Sequence, residues 1–234
     1  MISTPRKIDG VIFDKDGTLF DFHTTWADWT RDLLNHLATS YDVDPGALAR
    51  AIQFDLAECR FLPTSPLIGA TSREGAETLA AAMPGSDADE IEDYMNLSSA
   101  GAPLQPAVPL IPFLEGLAAR GLKLGLVTND SDHGARAHLG NAGVLEHFDF
   151  VAGYDSGHGS KPGAGPLLAF ARQTGLDPAR CIMVGDSTHD LMAGRAAGMY
   201  TLGVLTGIAE TPELAPLADA VLPHIGHIPD WLDR

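Results

Sequence analysis

The sequence predicts an α/β protein, a parallel sheet with helices on both faces and an all-helical block inserted after the first strand. Three observations carry this. From about residue 107 short apolar runs and helical stretches alternate, the order of a parallel sheet with crossover helices. Between about residues 20 and 105 the apolar positions recur at helical spacing, and no convincing strand interrupts them. One strand-like run, Val11-Ile12-Phe13, stands alone ahead of that block, so the block interrupts the sheet.

Each element has a local reason. Trp26, Trp29, Leu33, Leu34 and Leu37 make the stripe of a first helix. Asp44-Pro45 supplies a cap and a first-turn proline for a second, carrying Leu48, Ile52 and Leu56. Thr71-Ser72-Arg73-Glu74 has the capping-box spacing and opens a third toward Met83, and a fourth runs from Asp87 to about Leu97. Pro103, Pro106 and Pro109 mark the return linker. Beyond it the pattern gives a helix ending at Gly121, a strand over 122–128, a helix over 133–142, a strand over 148–152 and a helix over 166–175. It closes with strands over 181–185, 200–204 and 220–222 and a helix over 191–197.

Composition narrows the function. The chain has 234 residues, 45% of them apolar, enough for a full hydrophobic core. A net charge of −16 argues against nucleic acid and anionic membranes, which are gripped through many Lys and Arg. No run approaches the roughly eighteen apolar residues of a membrane span, and the opening residues carry no apolar signal region, so a cytosolic protein is expected. Cys59 and Cys181 stand far apart in no metal-like spacing and read as reduced thiols.

The chemistry concentrates at strand ends, where open α/β sheets place their sites. The first strand runs into Asp14-Lys15-Asp16-Gly17-Thr18-Leu19. Side chains at i and i+2 of an extended segment share a face, so Asp14 and Asp16 point toward one small volume. Two like charges that close ask for a cation between them, and carboxylate oxygens suit magnesium. The second strand closes on Thr128-Asn129, a hydroxyl and a backbone donor suited to a phosphoryl oxygen. Lys161-Pro162 puts a cation just before a helix, and Gly185-Asp186-Ser187-Thr188-His189-Asp190 adds two carboxylates at a tight turn. Singly, each is common turn or cap chemistry. The four in this order, each at a strand end, are not.

With these motifs the chain resembles the haloacid dehalogenase-like hydrolase superfamily, and within it the phosphoglycolate phosphatase-like capped phosphatases. The resemblance implies a Rossmann-like catalytic core from residues 1–19 and 106–234, and a helical cap from residues 20–105. It implies that Asp14 is the nucleophile, Asp16 the general acid and base, and Lys161 a catalytic cation that binds substrate with Thr128 and Asn129. Magnesium would be held by Asp14, Asp16 through its backbone carbonyl, and Asp186, with Asp190 holding its waters or orienting Lys161. Ala164 stands where a second proline is usual after the lysine, and Lys15 where an apolar residue is more common. Dehalogenases do not use the second aspartate of the first motif as acid and base, whereas Asp16 is present here, which favours phosphoryl transfer; the block from Phe20 to Gln105 has no lysine for the Schiff base of phosphonatases. The expected function is therefore a magnesium-dependent phosphatase on a small phosphorylated metabolite, phosphoglycolate-like or a sugar phosphate, working as monomer or homodimer. A phosphomutase with the same core and a non-catalytic phosphate- or partner-binding protein are the alternatives.

Residues 20–105 carry 14 Asp and Glu against four Arg, so an arginine facing the site would stand out. Arg73, in the first turn of its helix, and Arg60 are the candidates to receive a second anionic group of the substrate. His23, His158 and His189 are expected at the pocket rim or surface.

Overall fold

The computed structural model describes residues 7–233; residues 1–6, read above as a lead without a signal region, and residue 234 lie outside the described residues. The chain begins with β1 (Gly10–Phe13) and passes into α1 (Phe22–Tyr41), α2 (Pro45–Ala51), β2 (Phe54–Asp55), β3 (Arg60–Phe61), α3 (Ser72–Ala81) and α4 (Ala88–Ser99). It continues through α5 (Leu110–Ala119), β4 (Lys123–Val127), α6 (Asp132–Asn141), β5 (Phe150–Ala152), α7 (Gly165–Thr174), β6 (Cys181–Gly185) and α8 (Thr188–Ala196). β7 (Tyr200–Val204), α9 (Thr211–Leu214), β8 (Ala220–Leu222) and α10 (Ile228–Leu232) complete it.

Six strands form one parallel sheet in the order β5-β4-β1-β6-β7-β8. Successive side chains of β1 leave on opposite faces. Val11 and Phe13 join Leu114, Leu117 and Leu139 on one side, and Ile12 joins Phe170 and Met183 on the other. Gly125 has a packing reason: a Cβ there would meet the Phe170 ring at 2.7 Å. β1 lies between β4 and β6, so the carboxyl ends of three strands open side by side where the strand order reverses, the crevice in which such sheets carry ligands.

Residues 22–95 gather a separate apolar cluster, with Leu33, Leu34, Leu48, Ile52 and Leu79 fully or almost fully buried. The predicted helices are present with their caps. Asp21 accepts from Thr24 N at the start of α1, Asp44 from Gly46 N ahead of α2, and Thr71 and Glu74 close a reciprocal capping box on α3. One expectation is corrected. β2 and β3 form an antiparallel hairpin, Phe54 opposite Phe61, and Leu56 lies in its turn instead of on α2. The two phenylalanine rings meet edge-on at 5.1 Å, and burying them there outweighs one more turn of helix.

Candidate active site

Asp14 is the first residue beyond β1, and its N–H donates to Val184 O on β6 at 2.9 Å. Its carboxylate Oδ1 accepts from Lys15 N at 2.6 Å and from Lys161 Nζ at 2.7 Å, while Oδ2 has no protein partner among the described residues. Gly17 follows with φ +76, a left-handed conformation that turns the chain back at once. Asp186 and Asp190 come from the turn after β6. Ser187 and Asp190 cap α8 reciprocally, with Ser187 Oγ donating to Asp190 Oδ2 at 2.7 Å, and Asp190 Oδ1 accepts from Lys161 Nζ at 2.6 Å. Lys161 therefore bridges Asp14 and Asp190.

Carboxylate oxygens of Asp14, Asp186 and Asp190 lie within 4.8 Å of one another. Burial, with Asp190 adding to it, pushes the Asp14 carboxyl up to about 7 although Lys161 opposes the shift. Burial and the charges of Asp190 and Asp14 push Asp186 well above the usual carboxylate range. Asp186 Oδ1 accepts from Thr18 Oγ1 at 3.2 Å. A Cβ placed on Gly17 or Gly207 would run into its carboxylate, so the chain is kept bare on two sides of that group. Buried hard oxygens with too few positive partners are the donor set of a small divalent cation, and these residues fit one.

Burial alone would lower Lys161, but Asp14 and Asp190 outweigh it and hold the ammonium form. Asn129 fixes the lysine loop from below: its Oδ1 accepts from Lys161 N at 3.0 Å, and its Nδ2 donates to Lys161 O at 3.0 Å and to Gly69 O at 2.7 Å. Thr128 lies at the end of β4 beside it, and its hydroxyl accepts from Asp130 N at 3.1 Å.

Lys15 anchors a buried network that the sequence left unread. It stands at a position more often apolar, and it is indeed fully buried, yet it is neutralised on every side. Its Nζ is 2.9 Å from Asp130 Oδ2, 3.0 Å from Asp16 Oδ2 and 2.7 Å from His138 Nδ1, and lies 5.1 Å over the Trp26 ring. Burial would lower this lysine, but Asp130 and Asp16 hold it above its ordinary value. The Asp16 carboxylate is thus turned to Lys15 and is not among the three clustered carboxylates. His138, whose pKa burial and Lys15 both depress, presents its Nδ1 lone pair to Lys15, with Nε2 2.7 Å from Ser99 O at the end of α4. Asp130 follows the Thr128-Asn129 pair directly, and that adjacency was the one sequence signal for this network.

A cavity of about 120 Å³ opens above these groups. Asp14, Asp16, Thr128, Asn129, Lys161, Asp186 and Asp190 all line it, and His189 borders it. Arg60 and Arg73 do not, a correction to the expectation for both. Arg60 alternates with the inward Phe61 on β3 and is exposed. Arg73 is held outside by Glu77 at 2.7 Å, Glu92 at 3.2 Å and Asp89. The wall facing the carboxylates is instead built of Phe22, Trp26, Trp29, Phe61, Leu67 and Met95, of which periodicity marked Trp26 and Trp29 only as the stripe of a helix.

The family model for haloacid dehalogenase-like hydrolases matches residues 8–198. A phosphoglycolate phosphatase of Yersinia pseudotuberculosis serotype I is 30% identical over 239 residues, covering 95% of this chain and 92% of its own. Another from Rhodospirillum rubrum is 34% identical over 133 residues, 57% of this chain and 54% of its own. The fold matches that of CbbY from Rhodobacter sphaeroides, solved in complex with phosphate, with a TM-score of 0.74 at 20% identity over 97% of this chain and 100% of that one. This chain belongs to the haloacid dehalogenase-like hydrolases. Within that family it is a phosphoric monoester hydrolase.

Proposed function

We propose that the chain is a magnesium-dependent phosphatase that hydrolyses a small phosphorylated metabolite through an aspartyl-phosphate on Asp14. The observation that carries this reading is Lys161 bridging Asp14 and Asp190 at 2.7 and 2.6 Å beside Asp186, at the carboxyl end of the sheet. Asp14 Oδ2, without a protein partner, is the oxygen that attacks phosphorus, and the bond from phosphorus to the departing alkoxide breaks. Asp16 delivers its proton to that alkoxide. In the second step Asp16 takes a proton from water, whose oxygen attacks phosphorus; the Asp14 ester bond breaks and phosphate leaves. Lys161, the Thr128 hydroxyl and the Asn129 N–H stabilise charge on the phosphoryl oxygens. Asp14 and Asp186, with the Asp16 carbonyl, would hold magnesium, which would supply the positive charge that lets an anionic nucleophile approach an anionic substrate.

In this reading residues 1–19 and 106–234 are the catalytic core, and residues 20–105 are a cap that covers the site and excludes bulk water. The net charge of −16 speaks against nucleic acid and anionic lipid as partners, and the site against any large substrate. No helix among the described residues is long and apolar enough to cross a membrane; a cytoplasmic location and a monomer or homodimer belong to the same proposal.

The test is phosphate release from phosphorylated acids, sugars and alcohols with magnesium, for the intact protein and for Asp14→Asn, with mass spectrometry of acid-quenched protein. The reading requires release that Asp14→Asn abolishes and a phosphoryl adduct on Asp14. Equal release by the two proteins overturns it, and isomerisation of a sugar phosphate with little free phosphate replaces it with a mutase.

A further inference from the structure

The cavity says what kind of leaving group the phosphate is attached to. Among the residues that line it, Lys161 is the one Lys or Arg, and its ammonium is already shared by Asp14 and Asp190. Phosphoglycolate, the substrate in the names of the relatives, would carry a carboxylate into a wall made of Phe22, Trp26, Trp29, Phe61, Leu67 and Met95. A charge desolvated there without a partner is strongly disfavoured. The start of α3 also borders the cavity, but the Glu74 carboxylate is seated on it, accepting from Thr71 N at 2.8 Å and Thr71 Oγ1 at 3.0 Å, so a second anion would meet a like charge. None of the four arginines of residues 20–105 lines the cavity.

We propose that the site takes phosphomonoesters of an uncharged, mainly apolar alcohol, whose carbon skeleton packs on Phe22, Trp26, Trp29, Phe61, Leu67 and Met95. This deepens the phosphatase reading and rests on it for the phosphoryl end alone.

Two measurements separate the two claims. The fluorescence of Trp26 and Trp29, both in the cavity wall, reports binding of benzylphosphonate and of 3-phosphonopropionate with magnesium present. Benzylphosphonate binds at least tenfold more tightly; equal or tighter binding of 3-phosphonopropionate overturns the proposal. In parallel, kcat/KM for benzyl phosphate exceeds that for 2-phosphoglycolate at least tenfold; the reverse order overturns the substrate class and leaves the phosphatase standing. Preferred binding of benzylphosphonate with no Asp14-dependent hydrolysis of either ester supports the pocket assignment and overturns the phosphatase reading instead.

Discussion

Lys15 Nζ lies 2.7 Å from His138 Nδ1 in a fully buried position, and the same ammonium is 2.9 Å from Asp130 Oδ2. A lysine without access to water is tolerated here because two carboxylates and an imidazole replace its solvation shell.

Removing that ammonium leaves Asp130 as a buried carboxylate without its counter-charge. Lys15→Met is expected to lower stability by about 3–5 kcal/mol in urea unfolding at unchanged m. Lys15→Met with Asp130→Asn falls short of the summed single losses by about 1–3 kcal/mol, because neither buried charge is then orphaned. Additive losses would show that the two groups do not depend on each other.

Metal binding has a readout independent of turnover. Magnesium added to the metal-free protein raises Tm with concentration, as any ligand of the native state must. Asp186→Asn removes most of that rise, since it takes away a carboxylate of the cluster. An undiminished rise in that variant would place the ion elsewhere.

Without metal, the Asp14 carboxyl is raised to about 7 from an ordinary 3.8, and Asp186 moves the same way. Across that interval the folded protein holds more protons than the unfolded chain, so the stability of the metal-free protein falls as pH rises from about 4 through about 7. Urea midpoints in chelator, with Asp14→Asn as reference, measure it: the reference shows a shallower fall. Saturating magnesium reduces the slope, because the anionic forms then have their partner.

Arg73→Ala leaves kcat/KM within about twofold on the best substrate, since the guanidinium is spent on Glu77, Asp89 and Glu92 outside the cavity. A loss above tenfold would return the residue to the site.

The parallel sheet and the residues at its strand ends were legible because both are local. A short apolar run followed by Asp, Thr-Asn or Gly-Asp is written in consecutive residues, and topology alone then gathers them. The β2–β3 hairpin was hidden because two-residue strands have no period to read, and Phe54 and Phe61 also suit a helix stripe. Lys15 was hidden because what makes it bearable, His138, is 123 residues away. The Arg73 expectation weighed a helix N-terminus above the Glu77 one turn later, a pairing visible in the sequence. The apolar cavity wall reads the same as core until the fold shows which side of it is empty.

The Asn129 side chain grips both strands of one decision. Its carboxamide nitrogen holds the Gly69 carbonyl, in the segment between β3 and α3, together with that of Lys161, while its oxygen takes the Lys161 amide. Any swing of the Gly69 segment that widens the entrance breaks one arm of this clasp, so the poise of the lysine and the width of the doorway are registered by a single amide.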